Sequence, residues 1–157
     1  LVRADPDPEY GGGAVTLSLS GGPEAGTPPV HPDHEDRGRR EIPVGDGVVL
    51  EAADLPSVGE RVWLKGFGCV IFTGDSVEYT DDSLDVTREE DVDIVHWVPA
   101  AGNRQVTLRT MDGDVAGLAE PGIREYDPDD MVQFERVGFS RIDAHKDDET
   151  VAYWAHR

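Results

Sequence analysis

The sequence predicts an all-β protein. Eighteen Gly and eleven Pro punctuate its 157 residues, and these residues dominate turns and strand ends. Between them, apolar residues recur at every second position over short runs, as half-buried strands require. Only Asp85 to Asp91 is compatible with a helix, and that stretch is short. A chain of this length can bury a sizeable core as one ordinary domain or two very small ones.

From the start, Asp5 to Gly13 is rich in Asp, Pro and Gly and reads as a turn or linker. The glycines at 11–13 precede a strand and lack a following Lys-Ser/Thr, so they are no phosphate loop. Ala14 to Ser20 alternates Val15, Leu17 and Leu19 with Thr16, Ser18 and Ser20, a half-buried strand. A loop follows to Pro29. His31, Asp33 and His34 have a spacing that fits no common zinc pattern, and no Cys lies near. They read as a polar loop that ends in Arg37, Arg39 and Arg40. This Arg trio is the densest positive spot in the chain and a candidate phosphate contact.

Val48 to Ala53 is a short strand. Arg61 to Gly74 reads as one long strand bent at Gly66 and Gly68, returning through Ser76 to Thr80 as a hairpin. Trp63 and Lys65 share a face before the bend. Asp93 to Pro99 is a buried strand, and His96 within it reads as a hydrogen-bonded structural histidine. Gln105 to Met111 alternates again and ends in a turn at Asp112-Gly113. Asp112 and Asp114 lack the remaining ligands of a calcium loop. Pro121 to Asp130 is loop.

Met131 to Asp143 (MVQFERVGFSRID) is the most informative stretch, a strand-like alternation broken at Gly138, where it bends. Val132 and Phe134 point one way, and Gln133 and Glu135 the other, because successive side chains leave opposite faces of a strand. One face packs on a core while the other offers an amide and a carboxylate next to Arg136. Such a row can read the edges of an unstacked base. An edge strand with a solvated polar face gives the same pattern. Val151 to Ala155 closes the chain as a last strand. The count is roughly eight or nine short strands, most simply closed into barrels.

Composition limits function. Thirty-three acids against fourteen bases give a net charge of −19. That ordinarily argues against a nucleic-acid partner. The acids are dispersed, however, in pairs such as Asp129-Asp130 and Asp147-Asp148, and Lys occurs only at 65 and 146. A dispersed acidic surface poor in Lys suits a protein kept soluble in concentrated salt. Cys69 is alone, so no internal disulfide or cysteine metal cluster can form. No apolar run approaches a membrane span, and no charged-then-apolar leader opens the chain. The expectation is a cytoplasmic protein with no membrane partner.

Four segments occur in one order: HP…GRREIPV (31–44), RVWLK (61–65), IVHWVPA (94–100) and VQFERVGF (132–139). Their order resembles the C-terminal anticodon-binding region of glutaminyl-tRNA synthetase and of the archaeal-type glutamyl-tRNA synthetase. The compact loops bring the sequence nearer the glutamyl type. The resemblance covers nearly the whole chain, and Val2 to Pro6 looks like the junction that follows the family's catalytic domain.

The resemblance implies two small, mainly antiparallel β-barrels, near residues 1–105 and 105–157, with the last strand returning to the first barrel. It implies tRNA, held by its anticodon loop, as the partner, together with a catalytic domain outside this chain that uses ATP and magnesium. Gln133, Glu135 and Arg136 match the family's QFER residues that face the middle anticodon base, and Lys65 falls where a basic residue reaches the same base. Arg39 and Arg40 are the expected phosphate contacts. One departure is that the basic cluster ahead of IVHWV, tied to the third anticodon base, is here Arg88-Glu89-Glu90-Asp91. No HIGH-like or KMSKS-like stretch, βαβ unit or nucleophile with a paired base is present, so no catalytic, cofactor or metal residue is assigned to this chain. The alternatives are a glutaminyl-tRNA synthetase region, or a free-standing acidic β-barrel that binds RNA or protein.

Overall fold

A computed structural model of the chain describes residues 1–6, 12–31, 33–80 and 90–157. The protein is all-β, with two curled half-barrel sheets and no α-helix among the described residues. The helix-compatible segment at 85–91 lies mostly outside the described residues, as do Gly11 of the glycine run and Arg88-Glu89.

The chain opens with β1 (Val2–Arg3) and β2 (Ala14–Ser20), then a small ribbon of β3 (Ala25–Gly26) and β4 (Ile42–Pro43). Next come β5 (Gly47–Glu51), β6 (Arg61–Leu64), β7 (Gly68–Phe72) and β8 (Ser76–Tyr79). Two short strands follow, β9 (Ile94–Val95) and β10 (Val98–Pro99). The C-terminal part holds β11 (Arg104–Thr110), β12 (Gly113–Ala119), β13 (Met131–Phe134), β14 (Gly138–His145) and β15 (Glu149–His156).

The N-terminal sheet has the order β10-β5-β2-β8-β7-β6-β9, and the C-terminal sheet β1-β12-β11-β15-β14-β13. Residues 93–99, expected as one strand, split so that β9 pairs with β6 and β10 with β5, at the two ends of the same sheet. One short run therefore joins the two edges and draws the sheet round on itself. It can do so because Trp97 faces the N-terminal core while the next residue, Val98, faces the seam between the sheets.

The two sheets repeat one plan. In each, the first two long strands pair antiparallel (β2 with β5, β11 with β12). A hairpin follows (β6–β7, β13–β14), and the last strand returns parallel to the first (β8 beside β2, β15 beside β11). The changeover lies between Pro99 and Arg104. The strand that crosses between the two parts is β1, which pairs with β12, while β15 stays in the C-terminal sheet.

Two expectations need correction. Arg61 to Gly74 is a hairpin of two antiparallel strands, with Leu64 opposite Gly68, and 61–80 is therefore a three-stranded meander. Met131 to Asp143 is likewise a hairpin, with Phe134 opposite Gly138. In both, a three-residue turn reverses the chain where the glycines had suggested a bend.

Each part has its own core. Leu17, Leu50, Leu64, Val70 and Trp97 fill the first; Leu108, Ile123, Phe134 and Ile142 fill the second. A third, smaller cluster of Val2, Val49 and Val98 seals the seam between them.

Candidate nucleic-acid interface

The site is built from the two equivalent hairpin turns. In β6–β7, Phe67 N–H donates to Leu64 O (2.9 Å), and Gly66 takes φ 73°. In β13–β14, Val137 N–H donates to Phe134 O (3.0 Å), and Arg136 takes φ 65°. A left-handed conformation costs a residue with a side chain roughly 1–2 kcal/mol. At Arg136 a fork of two hydrogen bonds to Asp54, at 2.7 and 2.8 Å, offsets that cost.

The first residue of each turn meets the other across the seam: Lys65 Nζ donates to Glu135 Oε1. Burial alone would raise the Glu135 carboxyl, but the hydrogen bond and charge of Lys65 outweigh it and hold the group below its ordinary value. The Lys65 turn is itself pinned. Its N–H donates to Val95 O and its carbonyl accepts from Trp97 Nε1, both at 2.9 Å.

Between the two parts runs a cleft of about 510 Å³. Lys65, Arg40 and Trp97 line one wall, and Gln133, Glu135 and Ile123 the other. Gln133 is exposed on β13, on the opposite face from buried Phe134, as the alternation requires. The cleft thus combines an amide that donates and accepts, a carboxylate, an ammonium and a guanidinium with an apolar floor. This is the chemistry that reads a base edge and holds its phosphate.

The expected site residues do not all meet. Arg136 faces a second groove, with Asp54, Glu90 and Asp93. Arg40 is paired with Glu120 across the seam at 2.6 Å and donates to Pro29 O. Arg39 lies on the outside and donates to Thr27 O at 2.9 Å. Glu90, from the segment expected to bear on a third base, pairs with Arg61.

Two family models match, both described as anticodon-binding domains of class I tRNA synthetases for E and Q, over residues 13–89 and 94–143. The chain belongs to this family. It is 59% identical over 153 residues, 96% of the chain, to the glutamate–tRNA ligase of Haloarcula marismortui. It is 55% identical over 150 residues, 95% of the chain, to that of Halobacterium salinarum. To that of Methanosarcina barkeri it is 40% identical over 134 residues, 82% of the chain. It spans about a quarter of the length of these relatives, 26%, 26% and 23% respectively.

Within this anticodon-binding region, sequence alone does not reveal the groups that hold the cleft in shape. Glu51 is 1% exposed at the end of β5. Its carboxylate accepts from the Arg3 N–H and Nε at 3.0 and 2.9 Å, with Arg3 Nη2 at 3.0 Å, and His96 Nε2 stands 3.5 Å away. Burial pushes the group upward; the nearby His96 ring and the hydrogen bonds from Arg3 prevail and hold it well below the carboxylate range. The sequence did carry a signal, a carboxylate closing the apolar run Val48-Val49-Leu50, since unpaired charges are rarely buried. Nothing in the sequence pointed to Arg3.

Proposed function

We propose that this chain reads the anticodon loop of glutamate tRNA as part of a longer, cytoplasmic glutamate–tRNA ligase. ATP and magnesium serve a catalytic portion outside this chain. The observation that carries the reading is the meeting of Lys65, Gln133 and Glu135 on facing walls of one cleft, in a chain of the anticodon-binding family. An unstacked base in that cleft can exchange hydrogen bonds with the Gln133 amide, whose oxygen accepts and whose nitrogen donates. Lys65 and Glu135 bound the same space, one with donors and one with acceptors. Arg40, which lines the cleft, and Arg39, outside it, serve as backbone contacts.

The test is a cycle of charging rates in the full-length ligase at high salt. A lost base contact costs about 1–3 kcal/mol and a lost phosphate contact weakens all sequences alike. Gln133→Ala should slow charging of the cognate tRNA, and changing the middle anticodon base should then cost the variant less than it costs wild type. Arg39→Ala should reduce binding of both tRNAs by a similar factor. If Gln133→Ala loses one and the same factor on both, β13 does not read that base.

A further inference from the structure

We propose that the outer face of the C-terminal sheet is a stacking platform for unpaired RNA nucleotides that leave the cleft; the proposal rests on the reading of the cleft as an RNA site. Residues directly opposite each other on neighbouring strands put their side chains on the same face. Met131 stands opposite Arg141, Arg141 opposite Tyr153, and Tyr153 opposite Arg109, a row that crosses β13, β14, β15 and β11. Beside it runs a second row in which Phe139 stands between Gln133 and His156.

The inward partners on these strands, Phe134, Ile142, Ala152 and Leu108, are buried in the core. The two rows therefore face solvent: Met131 is 49% and Tyr153 37% exposed. The Phe139 and His156 rings lie 5.0 Å apart, and the Arg109 and Arg141 guanidinium carbons lie 5.6 and 5.5 Å from the centre of the Tyr153 ring. Arg109 also donates to the Tyr153 hydroxyl at 3.0 Å.

In a chain with 33 acids, an outward sheet face made of rings, a thioether and guanidinium planes needs a reason. Its charge is not the reason. Arg141 is neutralised by Asp129 and Asp143, and Arg109 stands opposite Asp114. What remains is polarisable surface of rings and guanidinium planes, to which any base can stack because every base has a π-face. Aromatic and Arg side chains also mark protein interfaces. Continuity decides for RNA, because Met131, Gln133 and Phe139 line the cleft as well as this face.

The experiment measures binding of the chain at high potassium chloride to two RNA hairpins, one with a glutamate anticodon loop and one with the middle base changed. Tyr153→Thr keeps a strand-favouring side chain and should weaken both hairpins by about tenfold while leaving their ratio unchanged. Tyr153→Phe keeps the ring and should bind like the parent. A folded Tyr153→Thr chain that holds both hairpins as tightly as the parent overturns the platform, whatever protein this face then binds. Photocrosslinking with 5-iodouridine in the loop is independent of any variant. Crosslinks to Tyr153 or His156 support the platform, and crosslinks confined to the cleft residues Lys65, Trp97 and Phe139 overturn it. If the parent binds the two hairpins equally, the anticodon reading fails, while the Tyr153 comparison still judges the platform.

Discussion

Glu51 shows how a single residue can tie both parts together. It ends β5 of the N-terminal sheet, and its partner Arg3 lies in β1 of the C-terminal sheet. Removing one member of a buried pair leaves the other without compensation. Glu51→Gln should therefore cost about 2–3 kcal/mol of stability, read by urea unfolding at neutral pH. The pH dependence has a definite sign. The folded carboxyl is held below its unfolded value, which lies near 4.3. Its stabilising contribution is then present above that value and is lost as pH falls toward the folded one. The gap between wild type and Glu51→Gln should be constant above about pH 5.5 and shrink on acidification. A gap that widens in acid would mean that Glu51 is not the ionised partner of Arg3.

At the scale of the element, the hairpins place the chemistry, and they test how far sequence could go. Gly138 closes the β13–β14 turn at φ 130°. A Cβ there would stand 2.5 Å from the His156 carbonyl oxygen and 2.9 Å from Trp154 Nε1, which itself donates to Val137 O. Gly138→Ala should cost about 2–4 kcal/mol, measured by thermal or urea unfolding, from backbone strain and the clash together. A loss under half a kcal/mol, the size of an ordinary surface change, would mean the turn relaxes freely. The glycines at 66, 68 and 138 were legible as places where the backbone does something special. Whether it bends or reverses was not, because these turns carry none of the Asn-Gly or Asp-Gly pairs that announce a two-residue hairpin. The alternation was sound as far as Phe134, so the placement of Gln133 could be read from sequence. Beyond it Glu135 and Arg136 belong to the turn, and their partners Lys65 and Asp54 come from turns of the N-terminal part. β12 escaped notice because Ala116 and Gly117 give it little apolar contrast. β1 is two residues long and draws its order from Leu118 and Gly117 opposite.

On the scale of the whole molecule, two electrostatic effects oppose each other. Arg3–Glu51, Arg40–Glu120, Lys65–Glu135 and Arg136–Asp54 all join the N-terminal part to the C-terminal part. Salt weakens such pairs where they are exposed, but an exposed pair is worth only about 0.2–1 kcal/mol, and the buried Glu51 pair is screened little. Against them stands the repulsion among carboxylates that outnumber bases by 33 − 14 = 19. Screening relieves that repulsion over the whole surface, since the Debye length falls from about 8 Å at physiological ionic strength to about 3 Å at 1 M. Self-repulsion of a highly charged surface destabilises the compact state, so salt removes more repulsion than attraction. The thermal midpoint should therefore rise with potassium chloride well beyond physiological concentration, as suits a chain whose relatives include haloarchaeal ligases. Because the pairs across the seam move the other way, Lys65→Gln should make that rise steeper by removing a salt-sensitive bond. A midpoint that stays flat or falls in the parent chain would mean that the carboxylates are matched to a basic partner and not to the solvent.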